Sequence, residues 1–219
     1  MNDKTLRIQV FNDPLYGENG MVLSVEAGRP CWIIDPGLPP QAEQMLAYIE
    51  AERLDPAAIV LTHAHGDHIA GIDEIRASHS KLPLYLAREE WEMLVNPQAN
   101  LSARFGAGFK ASDDNLQDLP PGAELELDGI KWQALDTSGH SPGGRTLYAP
   151  DLSLAIVGDA VFAGSIGRVD FPHSDGRRLL ANIRDNILTL PDNTQLIPGH
   201  GPATTVAEER ATNPFLQGV

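Results

Sequence analysis

Three histidines and an aspartate fall within the six residues His63-Ala64-His65-Gly66-Asp67-His68. The apolar run 58–62 just before them reads as a buried strand, and 69–77 just after reads as a helix. The cluster must therefore sit on the connection leaving a strand end, where a rigid scaffold aims side chains at a ligand. His63 and His65 are two apart, so in extended backbone they point the same way and can grip one cation. Gly66 permits a sharp turn, after which Asp67 and His68 can face a second position. Imidazole and carboxylate together suit zinc, iron or manganese.

Two ligands per ion are too few, so isolated donors should stand at other strand ends. His140 lies in the Gly/Pro-rich stretch Thr137-Ser138-Gly139-His140-Ser141-Pro142-Gly143-Gly144, Asp159 directly follows the apolar run 154–157, and His200 lies in Ile197-Pro198-Gly199-His200-Gly201. Each has glycine beside it, which lets backbone approach a site closely. Asp35 ends the run 31–34 in Asp35-Pro36-Gly37. His79 reads as a solvated helix end and His173 as a surface loop residue. Ser138 and Ser141 lack the Gly-x-Ser-x-Gly elbow of a serine triad.

Around these motifs, short strands are expected at 6–11, 20–26, 31–34, 58–62 and 84–86, and again at 124–127, 130–135, 145–149, 154–157 and 194–197. Helices are expected at 41–53, 69–77, 89–95 and 179–188, with an irregular loop over 96–121 and helical turn after Pro202. Strands followed by helices in each half point to a layered α/β fold, and 219 residues suit a single domain, 1–219. Lys and Arg total 16 against 30 Asp and Glu, a net charge of −14, which disfavours nucleic acid and anionic membrane surfaces as partners. The single cysteine, Cys31, sits in an apolar run and is expected as a buried thiol. A polar N-terminus and the lack of a long apolar run lead to the expectation of a cytoplasmic protein. The sequence gives no oligomeric state.

In this order and context the motifs resemble those of the metallo-β-lactamase-fold hydrolase superfamily. The resemblance implies a four-layer αββα sandwich of two similar halves holding two divalent ions, zinc in the first place, with iron or manganese as alternatives. It implies that His63, His65 and His140 bind one ion, Asp67, His68 and His200 the other, and that Asp159 bridges them, with Asp35 orienting a ligand from behind. The run 158–168 and the tail 209–216 resemble the glyoxalase II branch, in its short bacterial type without the helical C-terminal domain. That implies hydrolysis of a small-molecule thioester, S-(2-hydroxyacyl)glutathione such as S-lactoylglutathione, by a metal-bound hydroxide that catalytic Asp67 orients. Nineteen residues follow His200. The glutathione end must then be met elsewhere, with 104–110, Arg145, Arg168, Arg177 and Arg178 as candidates. The same fold also carries mononuclear-iron persulfide dioxygenases, lactonases and β-lactamases.

Overall fold

The apolar runs of the first half are nearly unbroken because both faces of their strands are covered. In the computed structural model, which describes residues 5–218, β1 (Arg7–Asn12), β2 (Asn19–Ser24), β3 (Pro30–Ile34), β4 (Asp55–Val60), β5 (Leu84–Leu86) and β6 (Leu116–Asp118) form one sheet in that order. The first three strands are antiparallel, and β3 to β6 are parallel. Alternate residues feed two cores. Val22, Cys31, Ile33 and Ile59 pack with Met45 and Ile49 of α1 (Gln41–Ala51), Ile72 and Ile75 of α3 (Ile72–Ser78), and Leu94 of α4 (Trp91–Val95). Met21, Leu23, Trp32, Ile34 and Val60 face the second sheet.

That sheet runs in the order β14 (Thr204–Thr205), β13 (Gln195–Pro198), β10 (Leu154–Gly158), β9 (Arg145–Ala149), β8 (Ile130–Asp136) and β7 (Glu124–Leu127). Leu154 and Ile156 join Trp132, Ala134 and Leu147 between the sheets, while Ala155 and Val157 turn outward to Leu179, Ile183, Ile187 and Val206. The outer layer is α5 (Gly176–Asn182), the π-helical turn Ile183–Ile187 that continues it, and α6 (Val206–Thr212). Helices, sheet, sheet and helices thus enclose three apolar layers, an αββα sandwich. Among the described residues no helix is long and apolar enough to cross a membrane.

Several local expectations are corrected. The helix expected at 69–77 is two, α2 (Gly66–Ile69) and α3, broken where Gly71 donates to the Pro36 carbonyl at 2.8 Å. A Cβ on Gly71 would meet Ala42 Cβ at 2.8 Å, so the chain can pass there only as glycine. The loop expected over 96–121 contains a 3-10 turn, Ser102–Phe105, and β6, whose short polar sequence hid its parallel pairing with β5. A hairpin of β11 (Val161–Phe162) and β12 (Ser165–Ile166) follows Asp159. Glu209 of α6 secures that hairpin, accepting from Gly164 N at 3.0 Å and Thr204 Oγ1 at 2.6 Å. The helix expected from 179 begins at Gly176, because Asp175 caps it by accepting from the Arg177 and Arg178 amides.

β3 and β4 run parallel, as do β10 and β13, and β8 shares the direction of β10 across antiparallel β9. Within each sheet, the strands that precede the donor-bearing loops therefore end on the same side.

Candidate metal centre

Five strand ends deliver the donors: Asp35 after β3, the 63–68 cluster after β4, His140 after β8, Asp159 after β10 and His200 after β13. His63 Nε2 and His140 Nε2 each lie 3.0 Å from His65 Nδ1. Asp67, His68 and His200 form a second group, with His200 Nε2 3.5 Å from Asp67 Oδ2 and one atom of each within 4.8 Å of the others. Asp159 stands between the groups. Its Oδ2 is 3.4 Å from His140 Nε2 and 3.5 Å from His200 Nε2, and its Oδ1 is 3.6 Å from His68 Nε2. The structure thus brings together all seven side chains singled out in the sequence.

The far nitrogens fix which way each ring faces. His63 Nδ1 donates to Thr62 Oγ1 at 3.1 Å, and that hydroxyl donates to Asp35 Oδ2 at 2.6 Å. His68 Nδ1 donates to Asp35 Oδ2 at 3.1 Å, His140 Nδ1 to the Arg168 carbonyl at 2.8 Å and His200 Nδ1 to the Tyr16 carbonyl at 3.1 Å. These four rings therefore turn Nε2 inward, whereas His65 presents Nδ1. Asp35 also approaches His63 and His68 closely enough to form a third grouping. Both its oxygens are occupied, however, Oδ1 by the Thr62 amide at 2.8 Å, so it supports the donors from behind. Its left-handed backbone, φ 44°, is one an aspartate tolerates and most residues do not.

Charge follows burial. Desolvation, reinforced by neighbouring imidazoles, holds His63 and His65 well below the ordinary histidine value, so both stay neutral with lone pairs free. For His68 burial acts in the same direction but is outweighed by Asp159, Asp67 and Asp35, which push it up. His200 is likewise raised, the bond to Asp67 and the charge of Asp159 overcoming burial. Burial alone would raise Asp67, yet His68 and His200 hold it below the usual carboxylate range.

These observations fit divalent cations. Three inward-facing imidazole nitrogens crowd within contact distance, with the far nitrogens of His63 and His140 already bonded to Thr62 and the Arg168 carbonyl, an arrangement that a cation relieves. His68 Nε2 and Asp159 Oδ1 are buried with no hydrogen-bond partner, a cost that coordination removes. Gly199 completes the cradle: a Cβ there would press on His68 Cε1 at 2.8 Å and on Asp159 Oδ1.

A cavity of about 490 Å³ opens over both groups. Leu15, Leu38, Leu101, Phe109, Phe162 and Phe171 give it apolar walls, and Arg168 is its cation. Phe171 meets His65 and His140 edge-on at 5.7 and 6.0 Å, and the Arg168 guanidinium stacks on Phe171 at 4.4 Å. Of the other cationic candidates, Arg145 is withdrawn. It is 1% exposed and donates to the carbonyls of Leu119, Gly143 and Gly144, so it is structural. Arg177 and Arg178 lie on the exposed start of α5, outside the cavity lining, whereas Ala107 and Phe109 of 104–110 do line it. His79 ends α3 and His173 is exposed.

Two buried acids at the centre were not anticipated. Glu18 is fully buried with Oε1 3.7 Å from His68 Nδ1, and burial raises it well above the carboxylate range. Glu90 is fully buried behind the first group, and burial raises it too. Both occur in polar sequence with no spacing signal.

An αββα sandwich with paired imidazole and carboxylate groups at its strand ends defines a class of metal-dependent hydrolases. The chain belongs to the metallo-beta-lactamase superfamily, whose family model matches residues 16–200. It is 39% identical over 189 residues to the probable metallo-hydrolase YqgX of Bacillus subtilis, covering 86% of this chain and 88% of that one. It is 34% identical over 187 residues to the hydroxyacylglutathione hydrolase GloC of Haemophilus influenzae, covering 84% and 86%. Among solved structures, the B3 metallo-beta-lactamase BLEG-1 superposes with a TM-score of 0.87 at 35% identity over 98% of this chain and all of that one. TTHA1623, in a di-iron-bound form, gives 0.82 at 34% over 95% and 100%.

Proposed function

We propose that this metal-dependent hydrolase is a thioesterase of the glyoxalase II type, cleaving S-(2-hydroxyacyl)glutathione such as S-lactoylglutathione to a 2-hydroxy acid and glutathione. The observation that carries the reading is the pair of donor groups with Asp159 between them, beneath one cavity. The similarity to GloC supports the choice of a thioester. His63, His65 and His140 would hold one ion, Asp67, His68 and His200 the other, and Asp159 both. Zinc suits these nitrogen and oxygen donors, and so does iron, which the di-iron form of TTHA1623 holds. Ions bound there would supply a water of lowered pKa and polarise the scissile carbonyl.

The chain's own residues account for the rest. Asp67, held deprotonated by His68 and His200, can accept a hydrogen bond from the attacking water at one oxygen and orient it. Asp35 and the Arg168 carbonyl fix the rings of His68 and His140, so that the donors need not reorganise as charge develops. The apolar walls exclude water around the acyl group; Arg168 lines the cavity with its guanidinium held by Asp170 at 2.8 and 2.9 Å, so meeting a substrate carboxylate would mean exchanging that partner. As the C–O bond forms, the attacking water gives up its proton to solvent and the C–S bond breaks. A thiol pKa of about 8.5 lets sulfur leave as thiolate, with its proton taken from solvent. The reading also places the enzyme in the cytoplasm, acting on a small diffusible molecule.

Metal-loaded protein should release free thiol from S-lactoylglutathione, lose that activity with a chelator and regain it when metal returns. Failure of metal-replete protein to release thiol would contradict the reading. The likeness to BLEG-1 favours one second reading, a lactam carbonyl at the same site, which penicillin hydrolysis on the same preparation tests. Oxygen uptake with glutathione persulfide would instead mark a mononuclear-iron dioxygenase.

A further inference from the structure

Glu90 closes the 3-10 turn Arg88–Glu90 and precedes α4, far in sequence from every donor of the metal centre. Its side chain nevertheless reaches two of the donor loops. Oε2 accepts from Ala64 N at 2.5 Å, and Ala64 lies between His63 and His65. Oε1 accepts from Ser141 Oγ at 2.5 Å and Gly143 N at 2.7 Å, just beyond His140. One carboxylate thus joins the two loops that carry the imidazoles of the first group. All three bonds are short and fully buried, which makes them costly to leave unmade. The approach is close: a Cβ on Gly143 would sit 2.9 Å from Glu90 Cγ. The second group receives nothing from Glu90; its supports are Asp35, the Tyr16 carbonyl and the backbone at Glu18 and Asn19.

We infer that Glu90 is a positioning residue for the first group alone, setting the separation of His140 from His63 and His65 and so the affinity of the ion they hold. This rests on the reading of the seven side chains as ligands. Because both oxygens serve only as acceptors, a glutamine of the same shape cannot replace the carboxylate. Its amide nitrogen would face a donor on one loop or the other, and the two loops would part.

The test is stepwise Co²⁺ loading of metal-free protein, followed by absorption in the visible and by competition with a chelator. In Glu90→Gln one of the two Co²⁺ affinities should weaken about 10–100-fold, as expected when a ligand's supporting hydrogen bond is lost, and the matching absorption band should shift. The other affinity should stay within threefold. A His65→Ala background gives the assignment, since there Glu90→Gln should leave the remaining Co²⁺ affinity unchanged. Ser141→Ala, which removes only one of the three bonds and cannot be mistaken for a failure to fold, should shift the same band by less. Unchanged Co²⁺ affinities, or equal weakening of both, would overturn the assignment and make Glu90 a general brace. If the unsubstituted chain bound no Co²⁺, the reading of the site itself would fall and take this proposal with it.

Discussion

The two donor groups draw on the same residue types but are held in different ways. His63, His65 and His140 are at most 6% exposed, offer three ring nitrogens, and are walled by one another, Phe171 and the Glu90 staple. In the second group His68 is fully buried, but the side chains of His200 and Asp67 are 23% and 27% exposed, and one donor is a carboxylate. The first group is therefore held in place by the core around it. The second stands on the cavity floor, partly wet, where its charge interactions are weaker. The difference is one of exposure: a nearly dry group of three ring nitrogens and a half-open group that includes a carboxylate, both reached by the same cavity.

The sharpest challenge to that comparison is Asp159→Ala. Removing the carboxylate shared by both groups should cost both ions and all turnover, and metal analysis showing two ions per chain would end its bridging role. Next comes a paired experiment. His65→Ala should abolish turnover and lose the first-group ion with the fold largely kept, whereas His200→Ala should retain that ion and lose the other. Identical metal contents in the two variants would erase the distinction between the groups. Asp35→Asn keeps the shape but weakens the acceptor behind His68 directly and behind His63 through Thr62, so a loss of about 10–100-fold in metal affinity is expected in both groups. Chelator competition reads that directly.

The smallest effect concerns the core behind the first sheet. Burial pushes the Cys31 thiol from 9.0 up to about 12. The folded chain keeps this proton to higher pH than the unfolded chain does, so its contribution to stability is present below 9.0 and lost as pH rises towards about 12. Alkylation at pH 8 should be negligible until denaturant is added. Rapid labelling of the native protein would show the core to be looser than described.

Much of the centre was legible because histidine is scarce in this chain and each donor follows an apolar strand. His140, Asp159 and His200 stand out through their glycine-flanked strand ends only beside the 63–68 cluster, and their roles come from the family resemblance. What sequence cannot carry is how a ring is turned. That His68, His140 and His200 turn Nε2 inward depends on Asp35 and on the Arg168 and Tyr16 carbonyls, partners set by tertiary contact. Glu18 and Glu90 escaped for the same reason, since a buried acid and a solvated acid look alike in a polar stretch. Arg145, one of several candidates for the glutathione end, is instead spent on backbone carbonyls. In the fold, the apolar alternation located the long strands, while β6 and the break between α2 and α3 depend on pairing and on a close approach at Gly71.

The most direct test is anomalous diffraction at the absorption edge of the bound metal, from crystals of the metal-loaded protein. It should show two peaks, one among His63, His65 and His140 and one among Asp67, His68 and His200, with Asp159 reaching both. A lone peak, or density away from these side chains, would contradict the paired centre.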